Sequence, residues 1–250
     1  MKKIYAMLPC YNESENIGAL IEKWLAQKDV LNQFGYELTV IGIDDRSTDN
    51  TYEIINSYVK KYSNVRLIRH KKNLNLGGVV NTAFKIFDKE CSNGDLCVLM
   101  DGDNTHDPLY ISSMIKKIHN GSDCVIASRY CKQSSVVGVP GIRVLLSDGA
   151  RIFYTLLLNV KNVKDYTCGY RVYKYEIIHK ARQSYGDRFI QMKSFSCMME
   201  VLYKLSKIGA KFNEVPFELR YDNKLGESKM HILKTIKDSV VTAIKLRISI

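Results

Sequence analysis

The feature that most constrains this chain is a strict alternation in its first half. Five short apolar runs, Ile4–Leu8, Leu38–Ile43, Val65–Ile68, Leu96–Met100 and Cys124–Ala127, are separated by four longer stretches at about 14–28, 49–61, 78–90 and 108–119. In those stretches apolar residues recur at three- and four-residue steps, as in Ile17, Leu20, Ile21, Trp24 and Leu25. Continuous apolar runs of this length suit strands buried on both faces, and the three-to-four spacing suits amphipathic helices. Strand–helix–strand alternation predicts an α/β fold of one domain, a mostly parallel sheet flanked by helices. Such sheets bind ligands beyond the carboxyl ends of their strands.

Polar clusters stand at those ends. Leu8 precedes Pro9-Cys10-Tyr11-Asn12-Glu13, and Ile43 precedes Asp44-Asp45-Arg46-Ser47-Thr48-Asp49. Met100 precedes Asp101-Gly102-Asp103, and Ala127 precedes Ser128-Arg129-Tyr130. Asp101 and Asp103, two apart, project to the same side of an extended chain. Two ionised carboxylates in one cleft repel unless a cation lies between them, and hard oxygen ligands with room for phosphate suit Mg²⁺ or Mn²⁺. Gly102 between them lets the backbone approach a ligand. Ser47 and Asp49 fit a helix cap; the paired acids before them do not, and one can accept hydrogen bonds from a base or ribose. Tyr11 is either an aromatic ligand face or a packed ring, and Glu13 either a ligand carboxylate or a charge at a helix start.

The second half is less regular. Residues 130–141 read as a loop, followed by a helix over about 142–158, a strand near 170–173, a helix over 194–208 and a strand over 211–220. Arg129, Arg143, Arg151, Arg171, Arg220 and Lys229 fall at element ends or in loops. Converging arginine forks suit a phosphate-bearing ligand, and scattered surface charge is the alternative.

The 250 residues carry 37 Lys+Arg against 26 Asp+Glu, a net charge of +11, with 46% hydrophobic and 25% charged residues. These proportions exclude a disordered chain, and the charge requires an anionic partner: nucleic acid, a membrane surface or a phosphorylated substrate. A nucleic-acid binder needs a basic stripe interleaved with aromatics, whereas acids gather at these strand ends, so no nucleic acid is expected. Seven cysteines without regular spacing predict reduced thiols. A phosphate-binding P-loop, a G-x-G-x-x-G after the first strand, a G-x-S-x-G elbow and paired zinc spacings are all missing. Leu74-Asn75-Leu76-Gly77-Gly78 opens a helix and offers a weak anion cradle. No apolar run reaches the roughly 18 residues of a membrane span, the nearest being Ile152–Val160. The expected setting is therefore cytosol-facing.

Taken in order, these clusters resemble glycosyltransferase family 2, and within it the polyprenyl-phosphate glycosyltransferases of the dolichyl-phosphate mannose synthase type. The likeness runs from about residue 4 to 229. It takes in Pro9, Tyr11 and Glu13, the segment Ile43–Asp49, Asp101-Gly102-Asp103, Ala127-Ser128-Arg129-Tyr130, Asp165–Arg171, and Arg220 with Ser228-Lys229. The resemblance implies a GT-A-type, Rossmann-like domain over 1–228. It implies nucleotide-sugar contacts (GDP-mannose or a UDP-hexose) from Pro9, Tyr11, Glu13, Ile43, Asp45, Asp101, Gly102 and Asp103. Metal binding falls to Asp101 and Asp103, catalysis to Asp103 and Arg129, and acceptor-phosphate binding to Arg129, Arg143, Ser147, Arg220 and Lys229. The implied reaction is an inverting, metal-dependent transfer to a polyprenyl phosphate. A saccharide acceptor is the alternative and requires a base, for which Glu200 is the candidate; a place within its helix is the other role for Glu200.

The sequence departs from the family at Arg46 and Asn75, which replace glycines, at Cys168, which replaces a serine, and at Thr105, where some relatives carry a metal-binding amide. Asn75 tolerates left-handed backbone. Residues 229–250 form a basic amphipathic helix in which Lys234, Lys237, Lys245 and Arg247 accompany Leu233, Ile236, Val240, Ile244 and Ile248. Such a helix lies on an anionic membrane, binds a membrane partner protein or packs on the core.

Overall fold

The computed structural model describes residues 1–139, 141–223, 225 and 232–249, with the side chains of 142–146, 232–237, 239 and 249 left aside. The alternation becomes β1 (Lys2–Cys10), α1 (Ile17–Leu25), α2 (Lys28–Gln33), β2 (Tyr36–Asp44), α3 (Thr51–Lys61), β3 (Val65–Arg69), α4 (Asn75–Glu90), β4 (Leu96–Leu99), α5 (Ile111–His119) and β5 (Cys124–Ser128). Each expected strand is present, extended by one or two residues at one or both ends except for β4, which stops at Leu99. The second half adds β6 (Ser135–Val137), α6 (Gly141–Leu158), β7 (Arg171–Lys174), α7 (Tyr175–Tyr185), α8 (Cys197–Lys207), β8 (Phe212–Pro216), β9 (Glu218–Arg220) and α9 (Ile232–Ser249).

One seven-stranded sheet runs in the order β3-β2-β1-β4-β7-β5-β8. β7 alone is antiparallel, lying between β4 and β5 with Arg171 opposite both Leu99 and Ile126. The reversal is decisive for the site. The beginning of an antiparallel strand lies level with the carboxyl ends of its parallel neighbours, so the turn 165–170 joins the clusters that follow β4 and β5. The strand order reverses between β1 and the parallel β4, and such a switch point opens a crevice where ligands bind.

The core is continuous, with Trp24, Phe84, Phe87, Tyr173 and Phe189 among its large buried side chains. Six of the seven cysteines are buried and all seven are free, as their irregular spacing predicts. The expected strand over 211–220 is split, because Pro216 has no N–H to continue a ladder. Beyond it Phe217 turns inward onto the ring of His106 (centroids 5.3 Å apart), and β9 pairs with β6 in a separate two-stranded sheet. The supposed loop 130–141 therefore holds a strand. The segment 174–193, left unassigned by periodicity, contains α7, which buries Ile177, Ile178 and Ala181.

α9 contacts α6 and α8 and buries Thr242, Ala243 and Leu246. Val241, Ile244 and Ile248 remain exposed beside Lys245 and Arg247. The packed face and the apolar outer face thus coexist on one helix. Among the described residues no helix is long and apolar enough to cross a membrane.

Candidate active site

The crevice is built by backbone bonds that tie three strand ends together. Gly102 N–H donates to the Pro9 carbonyl (3.2 Å) and Asp45 N–H to the Cys10 carbonyl (2.8 Å). A side chain at Gly102 would place its Cβ 2.7 Å from that Pro9 oxygen, so only glycine lets β1 and β4 close up here. Asp101 and Asp103 flank this contact, both half-buried. Thr105 donates to Asp103 Oδ1 from its N–H (3.2 Å) and its hydroxyl (2.8 Å), which fixes the carboxylate. Thr105 is therefore a brace for an acidic residue, in the place where relatives carry an amide ligand.

On the other side, Gly169 presses on Asp101. A Cβ at Gly169 would lie 2.6 Å from Asp101 Oδ2 and 2.7 Å from Oδ1. Sequence reasoning gives Gly169 no role, because the contact spans 68 positions and exists only through the antiparallel insertion of β7. We expect Gly169→Ala to push the Asp101 carboxylate aside and raise the Mn²⁺ concentration needed for half-maximal binding by at least about tenfold. Mn²⁺ titration by electron paramagnetic resonance reads this directly, and unchanged affinity would refute the contact's importance.

Among the described residues no three His, Cys, Asp or Glu side chains converge as a metal cage. Two braced carboxylates and a close backbone approach form an open set of hard oxygen donors. It fits a divalent ion that completes its shell with diphosphate and water.

The remaining expected donor contacts divide. Tyr11 is exposed at the crevice, while Glu13 is buried and accepts from Asn16 Nδ2 (2.9 Å). Asn16 also pairs with the backbone of Leu225 in both directions (2.9 and 3.1 Å), drawing the segment after β9 over the opening cluster. Ile43 is fully buried between β1 and β3, so its side chain belongs to the core. Asp45 Oδ1 accepts from Leu74 N–H (2.8 Å) and lies 2.7 Å from His70 Nδ1, and His70 Nε2 lies 2.9 Å from the Thr82 hydroxyl. Asp45 Oδ2 carries no hydrogen bond among the described residues and remains for a ligand. His70 directly follows β3, so the strand-end rule that marks the other clusters marks it too.

Ser47 does not cap α3: its Oγ accepts from Asn12 N–H (2.9 Å). Asp49 Oδ1 accepts from the N–H of Thr51, the first residue of α3 (3.0 Å), and Oδ2 from Ser14 N–H (3.1 Å), so this carboxylate serves the helix start and also joins the loops after β1 and β2. Arg46 and Asn75 adopt φ of +66° and +60°. These left-handed positions explain why the family uses glycine there, and asparagine bears the conformation at lower cost than arginine.

The expected phosphate arginines are mostly engaged. Arg129 donates Nε and Nη2 to the two oxygens of Asp165 (2.8 and 2.7 Å) and Nη2 also to Thr167 (2.6 Å), and among the described residues Nη1 has no hydrogen-bond partner. Burial pushes the Asp165 carboxyl up, but the Arg129 charge and its hydrogen bonds outweigh this and hold it below the ordinary range. Arg220 is clasped by Glu218 (3.2 Å) and Asp222 (2.8 Å), so it is no open phosphate fork. Arg171 is fully buried on the carbonyls of Cys168, Met198 and Tyr166. Ser147 lies on α6, where its carbonyl accepts from the Tyr130 hydroxyl (3.0 Å) and docks that helix beside Arg129. Arg143 is one turn earlier, its side chain outside the described residues, as is Lys229.

Glu200 is no base. It is 1% exposed, 2.6 Å from Lys204 Nζ, and accepts at Oε2 from Gln191 and Met192 N–H (both 2.9 Å). That segment then covers the start of α4, where Gly77 N–H donates to the Lys193 carbonyl (3.0 Å). The suspected anion cradle at 74–78 is thus filled by backbone.

Burial pushes the imidazole of His106 down to about 4, with smaller opposing contributions from Asp103 and Asp165. Its folded value lies below the unfolded one near 6.5, so the unfolded chain takes up a proton first. Stability is full above about pH 6.5 and falls as pH drops toward 4, by roughly 3 kcal/mol at the lower end. Urea titrations of the metal-free protein at pH 7.5 and 4.5 should show this loss, and His106→Phe should remove most of it. An equal loss in the variant would assign it elsewhere.

This crevice, a mostly parallel sheet with an acidic pair at its switch point, defines an α/β protein of the GT-A type. Glucosyl-3-phosphoglycerate synthase from Mycobacterium tuberculosis, solved with Mn²⁺ and UDP-glucose, has the same fold at a TM-score of 0.66 and 16% identity, over 100% of this chain and 80% of that one. The glycosyl transferase family 2 model matches residues 5–182, and the chain belongs to that family. A dolichol-phosphate mannosyltransferase of Pyrococcus furiosus is 32% identical over 229 residues, 91% of this chain and 59% of that protein. A dolichyl-phosphate beta-glucosyltransferase of Dictyostelium discoideum is 29% identical over 221 residues (84% and 64%). Polyprenol monophosphomannose synthase of Mycolicibacterium smegmatis is 26% identical over 231 residues (92% and 81%). The chain therefore spans about three fifths of the Pyrococcus and Dictyostelium proteins.

Proposed function

We propose that this protein transfers a hexosyl group from a nucleotide sugar to a polyprenyl phosphate with inversion at the anomeric carbon. The observation that carries the reading is the pair Asp101 and Asp103 at the β1/β4 crevice, with Asp103 braced by Thr105. A phosphate acceptor is already anionic at neutral pH. Its oxygen attacks the anomeric carbon from the face opposite the diphosphate; the new C–O bond forms as the old one breaks, and the electron pair leaves with the nucleoside diphosphate. No proton moves, so the reaction requires no base.

Asp101 and Asp103 would hold Mg²⁺ or Mn²⁺, which supplies charge screening to the departing diphosphate. Tyr11 and Asp45 would contact the nucleoside, and Arg129, held by Asp165 and Thr167, would meet the acceptor phosphate. The names of the relatives above support a polyprenyl-phosphate acceptor. The exposed Ile152 and Leu156 of α6, with Val241, Ile244 and Ile248 of α9, suit peripheral contact with the membrane that holds such a lipid. The saccharide-acceptor reading loses its candidate base with Glu200 locked on Lys204.

The test is a panel of GDP- and UDP-hexoses with Mn²⁺ or Mg²⁺, with and without a short polyprenyl phosphate. Release of nucleoside diphosphate should require both metal and lipid. Turnover with a free saccharide and none with lipid would overturn the acceptor assignment.

A further inference from the structure

A second concave site lies far from the crevice. A cavity of about 340 Å³ opens beside the edge strand β8, between the ends of α6, α8 and α9. Phe212, on its wall, starts β8 and pairs with Cys124, the first residue of β5. Because these strands are parallel, the cavity sits toward their amino ends, opposite the clusters described above.

Three cations from distant parts of the chain line it: Lys161 after α6, Lys207 in the last turn of α8 and Arg247 in the last turn of α9. No acidic residue lines it, and among the described residues none of the three forms a salt bridge. Tyr203, also on the wall, is 1% exposed, and its hydroxyl, closed off from solvent, has no hydrogen-bond partner among the described residues. A buried hydroxyl without a partner costs stability, and so do three like charges around one opening. Lys207 Nζ lies 4.8 Å from the centre of the Tyr203 ring, which holds this charge over the cavity wall. The end of α8 does not supply the missing negative charge. Its last carbonyls are satisfied by Gly209 N–H to Ser206, Ala210 N–H to Leu205 and Lys180 Nζ to Ile208. The rest of the wall includes Leu158, Val160 and Phe212, so the site is apolar around a cationic centre.

We propose that this cavity binds a phosphate group, with Lys161, Lys207 and Arg247 around its oxygens. One anion would offset the three clustered positive charges, and Arg and Lys are the side chains suited to phosphate. The volume accommodates a small phosphate ester or the headgroup of an anionic lipid, and the chemistry recognised is the same. The inference stands apart from the transferase reading, because it uses none of the crevice residues.

The test measures binding to the full chain by activity-independent means. Inorganic phosphate and glycerol 3-phosphate are titrated by calorimetry, and vesicles of phosphatidylcholine with or without phosphatidic acid by co-sedimentation. The triple variant Lys161→Met/Lys207→Met/Arg247→Met should bind the effective probe at least roughly tenfold more weakly, and Asp103→Asn should bind it as wild type does. Binding of soluble probes assigns a free phosphate ester. Binding confined to phosphatidic acid vesicles, and lost in the triple variant, assigns a lipid headgroup. No binding by any probe, or equal binding by wild type and triple variant, overturns the site. The triple variant should keep any transferase activity, so failure here is separable from failure of the proposed reaction.

Discussion

Asp103→Asn should lower metal-dependent release of nucleoside diphosphate by roughly 10²- to 10³-fold while the protein stays folded. An asparagine carbonyl can still accept from the Thr105 N–H and hydroxyl that brace Asp103 Oδ1, so the loop keeps its shape. What disappears is one negative charge beside Asp101, and with it half of the protein's contribution to a divalent ion. The loss should appear mainly in kcat at saturating donor, because screening of the leaving group matters most as the bond breaks. Initial rates with saturating Mn²⁺, beside a thermal melt, are the measurement. A variant retaining a third or more of the wild-type rate would remove Asp103 from the chemistry.

Arg129→Met is expected to have the largest effect on stability, about 3–5 kcal/mol, because it leaves a buried carboxylate without its cation. Asp165 is fully buried, and its oxygens are held by Arg129 together with the N–H groups of Arg129, Thr167 and Cys168. The sign with pH follows from its lowered carboxyl: the stabilisation is complete above the ordinary carboxylate range and is lost as pH falls through the folded value. Urea denaturation at pH 7 measures the loss, and Arg129→Met/Asp165→Asn should recover part of it, since the pair is then removed together. If the double variant is no more stable than the single one, the buried charge is not the cause. The turn 165–169 also carries Gly169 against Asp101, so the ion pair supports the acidic pair at a distance. Arg129 is thus first a positioning residue, and only Nη1 remains for an acceptor.

This division marks how far the residue order reaches. Strand positions and the clusters after Leu8, Ile43, Met100 and Ala127 were legible, because apolar periodicity and strand-end polarity are local properties. The roles of arginine and glutamate were not. Arg129 meets Asp165 36 positions later, Arg220 is neutralised by residues two away on either side, and Glu200 serves the backbone of Gln191 and Met192. A charged side chain announces its charge, whereas its partner depends on which elements pack beside it. His70 shows the converse, a site residue that the strand-end rule marks once it is applied to β3.

By itself the sequence determined an α/β alternation, an acidic pair at a strand end, a surplus of positive charge and the order of motifs that marks the family. Those follow from periods of two and 3.6 residues and from residue chemistry, neither of which needs long-range contacts. Only the tertiary structure decided that β7 enters antiparallel between β4 and β5. That single reversal brings Gly169 onto Asp101 and Asp165 onto Arg129. Tertiary structure also decided where the positive charge acts: on internal carboxylates near the crevice, and as three uncompensated cations around a cavity near the amino ends of the strands. Strand order and ion-pair choice depend on how the whole core closes, so no window of sequence contains them.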